Sequence, residues 1–232
     1  MSPDGPQTEL VVVSGADAVT YLDSQCTQDL SALAVGDNTG TLILAPNGDV
    51  VTIALVRRDA DEVVTLEVPV ATGALTVARL ERFAIRAAVT FEGPVPFGAG
   101  RSSIYPDALS RIRVGVPGAD ELARRLVAHA LPEELRLRSV SFTKGCYPGQ
   151  ELVARMQSRH AIPPYVLRRC TLDGPGAPGD VVGDPDKDGV LTSVALDGET
   201  GTNWALCVVH RRDAEQPTVA VHGSAATVAR FE

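Results

Sequence analysis

The stretch from Thr41 to Val68 constrains this chain most. Three apolar segments, Thr41 to Ala45, Val50 to Val56 and Val63 to Val68, follow one another with only turns between them. Asn47-Gly48 separates the first two and suits a tight hairpin turn, because both residue types tolerate positive φ. The expected product is an antiparallel meander, not a βαβ repeat. Leu10 to Val13 precedes it as a short strand. Ser14-Gly15-Ala16-Asp17 then has a capping-box pattern, a hydroxyl with a carboxylate three residues on. Ala18, Val19 and Leu22 give the following helix one apolar face through about Gln25.

Further along, Thr72 to Phe83 is patterned as an amphipathic helix through Leu75, Ala78, Leu80 and Phe83. Ile85 to Phe91 reads as a strand and Gly93 to Gly100 as a Pro- and Gly-rich connection. Asp120 to Leu131 reads as a helix stopped by Pro132. From Tyr165 the spacing changes. Tyr165 to Leu172, Gly189 to Leu196, Ala205 to His210, Val219 to Val221 and Thr227 to Phe231 are short strands between Gly, Pro and Asp turns, the pattern of a small antiparallel barrel. Pro163 and Pro164 bar helix continuation and set the expected boundary. The chain is thus expected to be α+β, with residues 1–161 as one region and 162–232 as a C-terminal barrel domain.

Charge and cysteine usage narrow the function classes. A formal net charge of -8 disfavours a broad phosphate-neutralising surface, so direct nucleic-acid binding is not expected. No apolar run is long enough to span a membrane, and the polar start lacks a charged n-region before an apolar core, which points away from secretion. Cys26, Cys146, Cys170 and Cys207 form no CxxC pair and no metal-ligand spacing with His129, His160, His210 and His222. Scattered thiols of this kind fit a reduced cytoplasmic setting, with no structural metal.

The run Phe142-Thr143-Lys144-Gly145-Cys146-Tyr147-Pro148-Gly149-Gln150-Glu151 carries the chemistry. If Lys144 to Cys146 is extended, the two side chains point to one face. Pro148 suits the first turn of a helix whose apolar stripe is Leu152, Val153 and Met156. An ammonium beside the thiol and a helix N-terminus after it both favour thiolate, so the Cys146 pKa is expected below the free value of about 8.5. The plainer reading makes Cys146 a small buried hydrophobe and Lys144 a solvated charge.

Lys144-Gly145-Cys146-Tyr147-Pro148-Gly149-Gln150-Glu151 resembles the K-G-C-Y-x-G-Q-E signature of the YgfZ family. Gly15-Ala16-Asp17-Ala18 through Gln25-Cys26-Thr27-Gln28-Asp29-Leu30 resembles that family's opening, and Arg82 to Arg86, Arg111 to Pro117, Leu131 to Glu134 and Gly189 to Ser193 resemble later stretches. The resemblance implies a fold like the glycine cleavage T-protein. It also implies tetrahydrofolate or a folate derivative as ligand, and a role in assembling or maintaining iron–sulfur client proteins, including enzymes that modify tRNA. Carried over residue by residue, it makes Cys146 and Lys144 the catalytic pair. Asp29, Arg86, Glu134, Tyr147, Gln150 and Arg155 become folate-binding: Glu134 as acceptor for paired pterin N–H groups, Arg86 and Arg155 for the glutamate tail. By local pattern alone, Asp29 is a turn residue, Glu134 a first-turn carboxylate and Arg155 a partner of Glu151. Arg113 stands where T-proteins carry a pterin-contacting Glu. An aminomethyltransferase of the T-protein class, or a scaffold that has lost its ligand, are the alternatives.

Overall fold

The structure is a computed structural model that describes residues 7–96, 107–223 and 227–231. In chain order the elements are β1 (Thr8–Ser14), α1 (Ala18–Gln25), β2 (Asn38–Leu44), β3 (Val50–Ala60), β4 (Val63–Pro69), α2 (Gly73–Glu81) and β5 (Thr90–Pro96). After these come α3 (Ala108–Arg113), α4 (Ala119–Leu122), α5 (Glu133–Ser139) and α6 (Gln150–Ser158). The remainder is β6 (Tyr165–Leu172), β7 (Val181–Val182), β8 (Val190–Leu196), β9 (Asn203–His210), α7 (Arg211–Ala214), β10 (Thr218–His222) and β11 (Thr227–Phe231). Two compact units result. One holds residues 8–96 and 133–160, the other residues 107–132 and 161–231. Among the described residues no helix is long and apolar enough to cross a membrane.

The first unit is built on a five-stranded sheet in the order β2-β3-β4-β1-β5. The predicted meander forms as antiparallel pairs of β2 with β3 and β3 with β4, and β1 then pairs antiparallel to β4. The turn between β2 and β3 departs from a two-residue hairpin. Ala45 and Asp49 close it through Ala45 N to Asp49 O at 2.8 Å, and only Gly48, at φ 92°, takes the left-handed conformation. Alternate strand residues, with Ala18, Tyr21 and Leu22 of α1 and Leu80 of α2, form an aliphatic core that includes Val11, Val13, Ile43, Val56 and Leu66.

Local expectations in this unit needed revision at three places. Ser14 ends β1, and Asp17 takes the cap position of α1 without capping it; its Oδ2 accepts the Ala88 amide at 2.7 Å instead. Ile85 to Val89 is not a strand. Arg86 turns the chain at φ 67°, and β5 begins only at Thr90 and runs through Gly93 and Pro94. The rest of the predicted connection, residues 97–100, lies outside the described residues, as do residues 1–6 of the polar start.

The second unit is a closed barrel in the strand order β10-β11-β6-β9-β8-β7, as the turn-punctuated C-terminal sequence predicted. Its interior is lined by Val166, Cys170, Leu172, Leu191, Cys207 and Val209. The helix predicted over Asp120 to Leu131 is broken. Only α4 forms, because Arg125 adopts φ 57°, which a continuing helix forbids; Ala128–Ala130 then makes a 3-10 turn.

Candidate functional site

The candidate site lies in the first unit, where the end of α1 meets the signature loop. Helix α1 stops at Cys26, whose backbone is extended and bridges Ile43. Thr27 is fully buried. Its hydroxyl donates to Ser139 O at 2.6 Å, and its backbone carbonyl accepts from Ser141 N at 2.9 Å. Gln28 Nε2 donates to Arg138 O at 2.9 Å. Segments 26–28 and 138–141 are therefore stitched side by side.

Asp29 follows on the outside of this seam. Its Oδ1 accepts both the Ser31 hydroxyl at 2.6 Å and the Ser31 amide at 2.9 Å, and these bonds hold its carboxyl below the usual range. Asp29 lines an open hollow of about 520 Å³ with Gln28, Ala32, Leu33, Gly36, Asp37, Asn38 and Thr39. That volume falls within the range of small-molecule sites, about 300–1,000 Å³.

The signature loop does not run extended, which overturns the shared-face expectation. Bends at residues 142–144 turn Lys144 inward and Cys146 outward. The Lys144 side chain is 1% exposed. Its Nζ donates to Asp23 O at 2.5 Å, Gln28 O at 2.8 Å and Cys26 O at 3.1 Å, and pairs with Asp23 Oδ1 at 2.9 Å. Tyr147 is buried below, its ring centroid 5.9 Å from Nζ, and burial pushes its phenol up to about 12. Gly145 and Cys146 are exposed, and a side chain at 145 would meet open space.

Helix α6 begins at Gln150, two residues later than Pro148, because Gly149 caps it at φ 85°. A Cβ at 149 would lie 2.8 Å from Ala45 O. Glycine here lets α6 start directly against the β2–β3 turn. Leu152 seats on Gly48 of that turn, while Val153 and Met156 are buried.

Of the other candidates, Glu134 on α5 pairs with Arg138 at 2.5 Å, beside the carbonyl that holds Gln28. Gln150 is half-buried at the start of α6, and Arg155 is exposed on its outer side. Arg86 is not brought to this group. It lies on the α2–β5 connection that Asp17 holds at the start of α1, whereas Lys144 bonds to the carbonyls at the end of α1. Arg113 belongs to the second unit, where it pairs with Asp197. Asp23 was missed by the sequence reading. It is a polar residue on a short helix, and nothing in its spacing marks it. Among the described residues no cluster of three or more His, Cys, Asp and Glu is arranged to hold a metal ion.

Comparison with known proteins defines the fold class first. The chain matches glycine cleavage system aminomethyltransferase T from Bartonella henselae with a TM-score of 0.64, over 97% of this chain and 82% of that one, at 14% identity. It has the aminomethyltransferase T-type fold. In sequence, it is 28% identical over 193 residues to an uncharacterized protein of Haemophilus influenzae, 67% of this chain and 68% of that protein. It is 39% identical over 97 residues to the mitochondrial iron-sulfur cluster assembly factor IBA57 homolog of Chaetomium globosum. That match spans 40% of this chain and only 22% of the relative's length. No family model matches the chain.

Proposed function

We propose that this chain is a cytoplasmic, tetrahydrofolate-binding accessory protein for the assembly or maintenance of iron–sulfur cluster proteins, of the YgfZ type, working through the thiol of Cys146. The observation that carries the reading is the arrangement around Lys144: an exposed thiol on a loop whose base is locked to the segment bearing Gln28 and Asp29. Likeness to an iron–sulfur assembly factor supports the biological role.

The hollow beside Asp29 suits a folate. Asp29 and Asp37 offer carboxylate acceptors for the N–H groups of a pterin, and Ala32 and Leu33 offer apolar surface for its rings. Gln28 and Asn38 add amide donors and acceptors. A bound tetrahydrofolate would supply one-carbon or redox chemistry, and the chain's own part is to orient it and to present Cys146. An exposed thiol in this position can attack the terminal sulfur of a client's persulfide, breaking its S–S bond and leaving the client as its thiol. It can also exchange with a disulfide of a client, releasing one of its two sulfurs as a thiol. The fold also supports a second reading, an aminomethyltransferase of the T-protein class. Against it, Arg113 replaces the Glu of that class and is engaged with Asp197.

The test is calorimetric titration with tetrahydrofolate of the wild type, Cys146→Ala and Asp29→Ala. The expected result is equal affinity for the first two and a loss of about tenfold or more for the third, the cost of one charge-assisted hydrogen-bond pair. In cells lacking the protein, Cys146→Ser should fail to restore an iron–sulfur enzyme that the wild type restores. A wild type that does not take up tetrahydrofolate would sink the ligand assignment. Full restoration by Cys146→Ser would sink the thiol.

A further inference from the structure

We infer that Asp23 and Lys144 form a positioning clamp that sets the Asp29 wall and the Cys146 loop with one buried cation. Its value for ligand binding rests on the function proposed above; the clamp itself rests on geometry.

The need for it begins in α1. This helix has no basic residue in its last turn. The last carbonyls of any helix lack intrahelical partners and sit at the negative end of its dipole. Here Asp23 O and Cys26 O are met by the ammonium of Lys144, which comes from a loop more than a hundred residues along the chain. The same ammonium takes Gln28 O, one residue before Asp29.

Asp23 completes the arrangement from the other side. Its Oδ1 accepts Lys144 Nζ at 2.9 Å and the backbone amide of Leu30 at 2.7 Å. Asp29 is thus flanked by two fixed neighbours, Gln28 through its carbonyl and Leu30 through its amide. On the other strand of the seam, Cys146 is two residues from the cation. With the side chain of Lys144 only 1% exposed, water cannot substitute for these contacts. The protons of Nζ are directed at these four acceptors, which leaves the ammonium no role as a donor to a ligand or to Cys146. Lys144 is therefore a positioning residue, and Asp23 is its counter-ion.

The test uses the full chain carrying Lys144→Met, Asp23→Ala or both, with hydrogen exchange read at single amides and Cys146 alkylation timed with iodoacetamide. In both single variants the Leu30 amide is expected to exchange about tenfold faster or more, while Val64 and Leu66 in the sheet keep their rates, the mark of local opening. The Cys146 alkylation rate should shift in both. The double variant should go no further than the singles, because either change opens the same clamp. Should Lys144→Met not fold, Asp23→Asn decides alone, since it keeps the acceptor oxygen and loses the charge; Leu30 should again accelerate with the sheet unchanged. A Leu30 amide that does not move, or that moves only together with Val64, overturns the clamp, and so do single effects that multiply in the double variant. Tetrahydrofolate affinity is measured in parallel and should fall by the same factor in every variant. A wild type that binds none overturns the folate reading, while the exchange comparison still decides the clamp.

Discussion

Cys26 is fully buried at the end of α1, and burial, only partly offset by the nearby Lys144 charge, pushes its thiol up to about 12. Cys207, whose Sγ is 3.9 Å from that of Cys170, is raised well above the ordinary thiol value by that contact and by burial. Cys146 alone of the four cysteines is exposed. Iodoacetamide at pH 8 is therefore expected to place one label on the native chain, at Cys146, and four after denaturation in urea, as mass spectrometry of the peptides would read. A second cysteine labelled at a comparable rate in the native state would contradict the burial pattern. At this scale the sequence was informative about which cysteine matters and silent about how it is presented. The signature singled out Cys146. Period-two alternation then put Lys144 on the same face, and the bends at residues 142–144 reverse that. Within the bends Ser141 Oγ accepts the Lys144 amide at 3.2 Å, while Thr27 O with Ser141 N and the Lys144 Nζ bonds tie the loop to residues distant in the chain, and no local pattern encodes those long-range bonds.

Elements were legible where one period ran without interruption. Strands β2 to β4 and the main barrel strands follow from it, as does the apolar stripe of α6. The stretch after Asp120 was not, because a buried charge network and the left-handed Arg125, not a continuous apolar face, organise it. Glu121 is fully buried in α4; it pairs with Arg111 of α3 at 3.1 Å, accepts the Ser193 hydroxyl of β8 at 2.6 Å and accepts the Gly118 amide at 2.6 Å. Arg111 in turn donates to Val116 O and Ser193 Oγ. Removing one member leaves an uncompensated buried charge. Glu121→Ala is thus expected to cost about 3–5 kcal/mol in urea denaturation. Replacing both charges, as in Arg111→Met with Glu121→Leu, should recover most of that loss, since apolar pairs of similar volume often match a buried ion pair. A Glu121→Ala chain as stable as the wild type would show that the network contributes nothing to how α3 and α4 hold β8.

For the whole molecule, one buried thiol and two buried phenols make stability depend on pH in the alkaline range. Cys26 is raised from 9.0 to about 12, and Tyr21 and Tyr147 from 10.0 to about 12, all chiefly by burial. Tyr21 also donates its hydroxyl proton to Leu80 O at 2.5 Å, a bond that the phenolate cannot make. In the unfolded chain these groups lose their protons near their ordinary values, while the folded chain retains them until about pH 12. Between those limits the folded state binds more protons than the unfolded one, so stability must fall as pH rises. The full contribution is present below pH 9, the thiol begins to withdraw it there, and the two phenols join above pH 10. Each group deprotonated only in the unfolded state adds a slope of about 1.4 kcal/mol per pH unit. Urea titrations followed by far-ultraviolet circular dichroism from pH 7.5 to 11.5 should show a decline that steepens past pH 10. Cys26→Ala, though less stable at neutral pH because it leaves a small cavity, should decline less steeply from pH 9 by about one proton's slope. A wild-type profile that is flat to pH 11, or a Cys26→Ala profile parallel to it, would mean that the thiol is not as sealed from water as its place beneath β2 and α1 requires.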